Sequence, residues 1–253
     1  MTQLAQAVFS RRAAFYADSA AHKDPAVLDR VVELARPRPG HLVLDVATGA
    51  GHTAFALAPH VRWVVATDIT HEMLAEGRAL KRQAGFDNVE FRLADAHDLP
   101  FPDAMFDLVT CRRAAHHFTD IAKALREMKR VLKSGGRLVI DDRSVPEDDA
   151  VDAVMNRLDR LHDRSHVRQY RPSEWERTLK ESGFEVETVE PYVRHRPLSS
   201  LTGGVDPEDA AEIRRSVASL TAEQRAAMAV TEKDGEVHTN HWYVMAVGVK
   251  RDK

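Results

Sequence analysis

The stretch LVLDVATGAGHTA places Gly49, Gly51 and Ala54 at the spacing G-x-G-x-x-G/A. Glycines there let the backbone turn tightly and approach a ligand, and a following helix offers it free N–H groups. Asp68 stands 17 residues past Gly51, at the end of the next apolar run, where a carboxylate can accept both hydroxyls of a ribose. Asp45, four residues before Gly49, puts a negative charge where a dinucleotide binder needs room for pyrophosphate, and so suits a ligand with cationic groups. Farther along, CRRAAHHF carries His116 and His117, a pair whose ordinary pKa lies near neutrality. An imidazole at that place can take a proton from a bound nucleophile. The plainer alternatives are glycines that only shape a turn, an Asp68 that caps a helix through Thr70, and imidazoles packed under the next helix or bonded to a carbonyl.

The elements around these residues predict an α/β fold. The first forty residues read as helices, with Asp24 as an N-cap, Pro25 in the first turn and Pro37 ending the run. HLVLDVATGAG then reads as a buried parallel strand entering a tight turn. Strands at RWVVATD, VEFRLAD, FDLVTC and RLVIDD alternate with helices at HTAFALAPH, THEMLAEGRALKRQAG and DIAKALREMKRVLKSGG. That alternation means right-handed crossovers and a doubly wound, mostly parallel sheet. Residues 147 to 182 and 206 to 230 read as helical, SGFEVETVEPYVRHRP holds a strand, and GEVHTNHWYVMAVGVKR should close the sheet as an antiparallel strand.

DVATGAG, the strand-end Asp68, LADAHDLPF, FDLVTCRRAAHHF and LREMKRVLKSGGRLVIDD together resemble the seven-stranded class I S-adenosylmethionine-dependent methyltransferases. Within them the chain looks most like the small-molecule branch that includes the ubiquinone/menaquinone C-methyltransferases, which the opening FYADSAAHKD also suits. The likeness is specific over residues 15 to 145; beyond them, RLHDRSHVRQYRPSEW resembles a narrower bacterial group and implies no substrate. The resemblance implies S-adenosyl-L-methionine as cofactor, a ligand whose sulfonium and ammonium agree with Asp45. It implies that Ala47, Gly49 and Gly51 face the methionine moiety with Asp45 near its ammonium, and that Asp68 holds the ribose. Ile69 and Met73 would pack on the adenine, Asp95 would accept from its amino group, and the Ala96 N–H would donate to the ring. Arg112 would touch the methionine end through its backbone, and Phe15 and Tyr16 would belong to an N-terminal lid.

In open parallel sheets ligands lie beyond the carboxyl ends of the strands, so CRRAAHHF and DDRSV should face the methyl acceptor. His116 and His117 are the candidate bases. Arg112 and Arg143 could hold an anionic acceptor by bidentate bonds, or pair with neighbouring aspartates. Phe15, His117, His166 and Arg168 complete the expected acceptor contacts. His162 and His166 stand four apart but lack a third ligand, so no metal site is expected. Cys111 reads as a buried strand residue rather than a nucleophile. The strand ending CRRAAHHF lacks the Asn/Asp-Pro-Pro-aromatic signature of enzymes that grip a flipped base.

Composition agrees with this reading. The chain has 253 residues, 43% hydrophobic and 30% charged, with a formal net charge of −3, which suits a soluble globular protein and not a nucleic-acid binder. One cysteine excludes a disulfide framework and leaves the cytoplasm as the expected compartment. Charges interrupt every apolar run before a membrane span is reached, and Arg11 and Arg12 stand in the wrong order for a secretory signal. A single domain is expected over 1–253, with 1–40 as a helical lid, 41–145 as the cofactor-binding core and 146–253 as acceptor-cap helices and closing strands. The expected function is methyl transfer to an O, N or activated C atom of a small molecule. The alternatives are a non-catalytic cofactor-binding module and, on the glycine motif alone, a nicotinamide-dependent oxidoreductase. Whether the chain forms a homodimer through the 198–236 insertion is left open.

Overall fold

A computed structural model of the chain describes residues 3–19 and 21–251, with the side chains of residues 3 and 15 outside the described set. Helices α1 (Gln3–Asp18) and α2 (Pro25–Ala35) precede the sheet. The Asp24 side chain caps α2 by accepting from the Ala26 N–H, and Arg36 ends it in the left-handed region. Five parallel strands follow: β1 (Leu42–Val46), β2 (Trp63–Asp68), β3 (Val89–Leu93), β4 (Phe106–Arg112) and β5 (Leu132–Ser144). Helices α3 (His52–Leu57), α4 (His71–Ala84) and α5 (Ile121–Val131) make the crossovers. After β5 come α6 (Asp149–His162), α7 (Pro172–Glu181), β6 (Glu185–Pro197), α8 (Ser199–Thr202), α9 (Pro207–Ala218), α10 (Ala222–Ala227), β7 (Thr231–Lys233) and β8 (Glu236–Val249).

The sheet order is β3-β2-β1-β4-β5-β8-β6, with β7 pairing only to β8. The order reverses beside β1, so β1 and β4 part at their carboxyl ends and open a crevice there. Every residue from Tyr243 to Val249 is buried, whereas every residue of β6 is at least partly exposed. The last strand is antiparallel as predicted, but this apolar run fills the gap between β5 and β6, leaving β6 as the edge. The eighth strand beyond the predicted seven is β7, the short arm of a hairpin.

One apolar cluster lies under each face of the sheet: Val109, Leu125, Met128 and Ile140 in the first, Val31, Leu57, Val64 and Leu74 in the second. A third joins the late helices through Val151, Met155, Leu158, Leu201, Ile213 and Met228. The segment predicted helical over 147–182 is broken at 163–171, where the backbone turns back to the sheet. Val167 and Arg168 donate their N–H groups to the His116 carbonyl, and the Ser144 hydroxyl donates to the Tyr170 carbonyl. Residues 206–230 likewise split into α9 and α10, with Thr221 capping the second. No helix among the described residues is long and apolar enough to cross a membrane.

Candidate active site

β1 ends in Asp45 and the chain turns at once. Ala47, Gly49 and Gly51 all take positive φ, at 52°, 57° and 93°. An added Cβ at Gly51 would meet Phe91 at 2.7 Å, so this glycine serves both the turn and close helix–strand packing. The turn leaves the Gly49 N–H pointing at Asp68, whose Oδ2 accepts it at 2.9 Å, while Oδ1 accepts the Thr70 N–H at 2.9 Å. The plainer expectation that Asp68 caps through Thr70 therefore holds in part. Each oxygen still has acceptor capacity beyond its one backbone bond. Burial raises the Asp68 pKa, opposed by these N–H donors.

Asp45 is sealed more tightly. Thr48 Oγ1 donates to one oxygen at 2.5 Å and Thr110 Oγ1 to the other at 2.6 Å. Burial pushes its pKa up to about 6 against those two donors and the Arg112 charge.

Both carboxylates line one cavity of about 1010 Å³, at the upper end of small-molecule sites. Its walls include Tyr16, Ala47, Gly49, Met73, Arg112, His116, His117, Arg143 and His166, all of them expected from the sequence. Helix α1 covers it, held to α4 by Ser10 Oγ donating to Glu72 at 2.7 Å and to the β2–α4 link by Gln6 Nε2 donating to the Ile69 carbonyl at 3.2 Å.

Six of the chain's 13 histidines border this cavity: His22, His52, His116, His117, His162 and His166. Burial is the leading cause of a lowered pKa in every one, so all are neutral imidazoles at pH 7. Hydrogen bonding then assigns their lone pairs. Asp163, held below the usual carboxylate range despite its burial by His117 and Ser165, can only accept, so Ser165 Oγ donates to it at 2.6 Å. His117 Nδ1 must therefore donate to Ser165 Oγ, at 3.0 Å, which leaves the lone pair on Nε2. Asn156 Oδ1 already accepts the Gln169 N–H, so His166 Nε2 donates to it at 3.0 Å. Its Nδ1 keeps the lone pair.

His116 pairs with Asp142 on β5. Nδ1 lies 2.6 Å from Oδ1, and the His116 N–H donates to Oδ2 at 2.8 Å. Burial pushes Asp142 up to about 7 and His116 well down, so the pair shares one proton near neutrality. Above about pH 7 the carboxylate ionises, Nδ1 carries the proton, and Nε2 is an acceptor with no partner among the described residues.

Several sequence expectations meet a different placement. Arg168 is not at the cavity. Its guanidinium binds both oxygens of Asp152 and both of Glu174, tying α6 to α7. It is a brace rather than an acceptor contact, because the coil at 163–171 turns it away from the crevice. Arg168→Ala is expected to lower stability by about 1–2 kcal/mol in urea unfolding, with Asp152 retaining its Arg171 partner. Gly51, Ile69, Asp95 and Ala96 are not among the cavity's wall residues. Asp95 accepts from the His97 N–H at 3.0 Å and faces its ring Nδ1 at 2.7 Å, while Ala96 is buried in the core. The Phe15 side chain lies outside the described residues.

Arg112 and Arg143 reach the wall largely engaged. Arg112 donates to Thr53 Oγ1 and the His22 carbonyl, and Arg143 to Asp159 at 2.6 Å. Arg112 Nη1, Arg143 Nε, Asp159 Oδ2 and His52 Nε2, all on cavity-lining residues, are buried with no hydrogen-bond partner among the described residues. His162 donates Nδ1 to the Leu201 carbonyl at the end of α6, while His166 lies in the coil beyond, so the two share no helix face. Cys111 is buried, and burial raises its thiol pKa. Sequence reasoning did not single out Phe9, His22, Ser165, Arg196 or Tyr243. Only Ser165, beside His166, lay next to an identified residue.

Over residues 37–183 the chain matches the family described as a methyltransferase domain. It is 44% identical over 168 residues to the uncharacterized methyltransferase YcgJ of Bacillus subtilis (strain 168), 66% of either chain. The crystal structure of YcgJ matches with a TM-score of 0.84 and 34% identity, covering 89% of this chain and 98% of that one. The BH2331 protein of Bacillus halodurans C-125 matches with a TM-score of 0.85 and 35% identity, covering 89% and 99%. The demethylmenaquinone methyltransferase of Clavibacter sepedonicus is 46% identical over 110 residues, 44% of either chain. In sequence, the matched stretch is thus just under two thirds of YcgJ and under half of the quinone enzyme.

Proposed function

The chain belongs to the class I S-adenosylmethionine-dependent methyltransferases, and from that premise we propose that it methylates an oxygen, nitrogen or activated carbon atom of a small molecule. One observation carries the choice of acceptor. The cavity that holds Asp45, Gly49 and Asp68 continues without a break to His116, His117 and His166, beneath α1 and beside the late helices. Cofactor and acceptor would share one covered chamber.

The residues fit the cofactor. Asp68 keeps acceptor capacity for two ribose hydroxyls while the Gly49 and Thr70 N–H groups hold it in place. Asp45, raised by burial, gains from a nearby ammonium, and Met73 offers apolar packing to the adenine. Asp95, expected to accept from the adenine amino group, lies outside the cavity wall and is engaged by His97. When bound, S-adenosylmethionine supplies a methyl group already activated by its sulfonium. The chain's part is to align the acceptor, exclude water with α1, and take up a proton.

His116 is the base in this reading. Asp142 orients its ring as a carboxylate orients a catalytic imidazole, and Nε2 is the acceptor of the proton. His117, oriented by Ser165 and Asp163, stands beside it with ring centroids 4.1 Å apart, and serves as a second acceptor. In this reading residues 146–253 supply the acceptor-cap helices and the closing strands.

The test is incubation with labelled cofactor and a panel of quinones, phenols and amines. A methylated product supports the reading; tight cofactor binding with no product from any class indicates a silent binding module. With an acceptor identified, His116→Gln is expected to lower kcat by about 100-fold, with cofactor affinity unchanged. Wild-type kcat should rise with pH through about 7, as Asp142 ionises and frees the Nε2 lone pair. A flat pH profile, or a kcat unaffected by the substitution, removes His116 from the chemistry.

A further inference from the structure

Four arginines line the cavity, and three of them face a carboxylate. Arg113 donates to Asp141 at 3.0 Å, Arg112 lies 4.0 Å from the same group, and Arg143 is paired with Asp159. Arg196, the last residue but one of β6, makes no ion pair among the described residues. Its one hydrogen bond there runs from Nη1 to the Tyr243 hydroxyl, at 3.3 Å. A guanidinium carries five N–H donors in a planar fork, so most of the capacity of this cavity-lining, partly buried side chain is unused among the described residues.

Its surroundings are built for an anion. Ser200, four residues on, also lines the cavity, and its hydroxyl is buried without a hydrogen-bond partner among the described residues. Arg143, another lining residue, has its Nε buried with no hydrogen-bond partner among the described residues. Tyr243 sits among these cations, with the Arg113 guanidinium 3.9 Å from its ring centroid. Burial opposes ionisation of the Tyr243 phenol, yet Arg113, Arg143 and Arg196 hold its pKa below the ordinary value, so the field at this end is positive. Asp159, paired with Arg143, and Asp163 also line the cavity and limit how much negative charge can enter. A single charge on two coplanar oxygens matches one free fork, while a phosphate near two charges would meet those aspartates.

We propose that Arg196 and the Ser200 hydroxyl form a subsite for a carboxylate on the methyl acceptor, so that the substrate is an organic acid. The inference rests on the small-molecule methyltransferase reading and adds a specificity determinant to it. Arg196 would select and orient the acceptor from the side of the cavity formed by β6 and α8, while His116 serves the reacting atom.

The test is calorimetric titration of the protein saturated with S-adenosylhomocysteine, using 4-hydroxybenzoate, its methyl ester and 4-hydroxyphenyl phosphate as probes. The acid is expected to bind at least about tenfold more tightly than the ester, with the phosphate weaker than the acid. Arg196→Gln should remove about tenfold or more of the acid's affinity, leaving affinities for the ester and S-adenosylhomocysteine within about twofold; Arg196→Lys should recover part of the loss. Ser200→Ala, a smaller change, should weaken the acid alone and supplies the result if the Arg196 variants do not fold. Failure of the acid to bind, equal binding of acid and ester, a phosphate that binds best, or an acid affinity indifferent to both positions overturns the assignment. If wild-type protein fails to bind S-adenosylhomocysteine in the same experiment, the cofactor reading itself has failed. If it binds and only the acid preference is missing, the carboxylate subsite alone is lost.

Discussion

Asp68→Ala is expected to lower affinity for S-adenosylmethionine by about 100-fold or more. Two charge-assisted bonds to ribose hydroxyls, at about 1.5–3 kcal/mol each, account for a loss of that order. The substitution also strips the acceptor from the Gly49 and Thr70 N–H groups, so the glycine turn loses the tether that aims it. Asp68→Asn should fall between the two, since an amide retains one acceptor oxygen. Calorimetry with S-adenosylhomocysteine checks both variants. Unchanged binding in Asp68→Ala sinks the placement of the ribose.

Asp45→Asn should move stability and binding in opposite directions. The carboxyl is fully buried, and its pKa of about 6 stands above the ordinary 3.8. An acid whose folded pKa is raised destabilises the fold wherever it is ionised in both states. At pH 7 the two-unit difference corresponds to about 3 kcal/mol at most. Asparagine can satisfy Thr48 and Thr110 without burying a charge, so the variant should unfold several degrees higher at pH 7. Its advantage should shrink as pH falls through about 6 and vanish below about 4, where the wild-type carboxyl is protonated in both states. Cofactor affinity should drop about tenfold or more, because the ammonium loses its counter-charge. Wild-type affinity should itself decline below about pH 6, as Asp45 takes up a proton. Thermal unfolding and calorimetry across pH 5 to 8 check both halves. A variant that is less stable and binds normally would make Asp45 only a tie between Thr48 and Thr110.

The cofactor half of the site was legible because its signals are local. Gly49 and Gly51 are needed where the backbone must take positive φ immediately after a buried strand, and Asp68 closes the neighbouring strand in register, so a short stretch of chain already determines their proximity. Asp95 shows the limit of that locality. β3 stops at Leu93, two residues short of Asp95, where His97 engages the Asp95 carboxylate and keeps it off the cavity wall.

The acceptor half had no such signature. His116 and His117 were visible as titratable residues at a strand exit, but their partners Asp142 and Ser165 stand 26 and 48 residues away. Arg168 and His166, two residues apart, looked equivalent until the coil at 163–171 sent one to a brace between helices and the other to the cavity. By itself, the sequence determined the alternating strands and helices, the glycine turn and the carboxylates that serve a cationic nucleoside. Which imidazoles carry free lone pairs, which arginines are neutralised, and that Arg196 has no carboxylate partner among the described residues were decided only by tertiary structure. Burial and pairing depend on groups that the sheet brings together across long stretches of chain, and no residue's type or spacing records them.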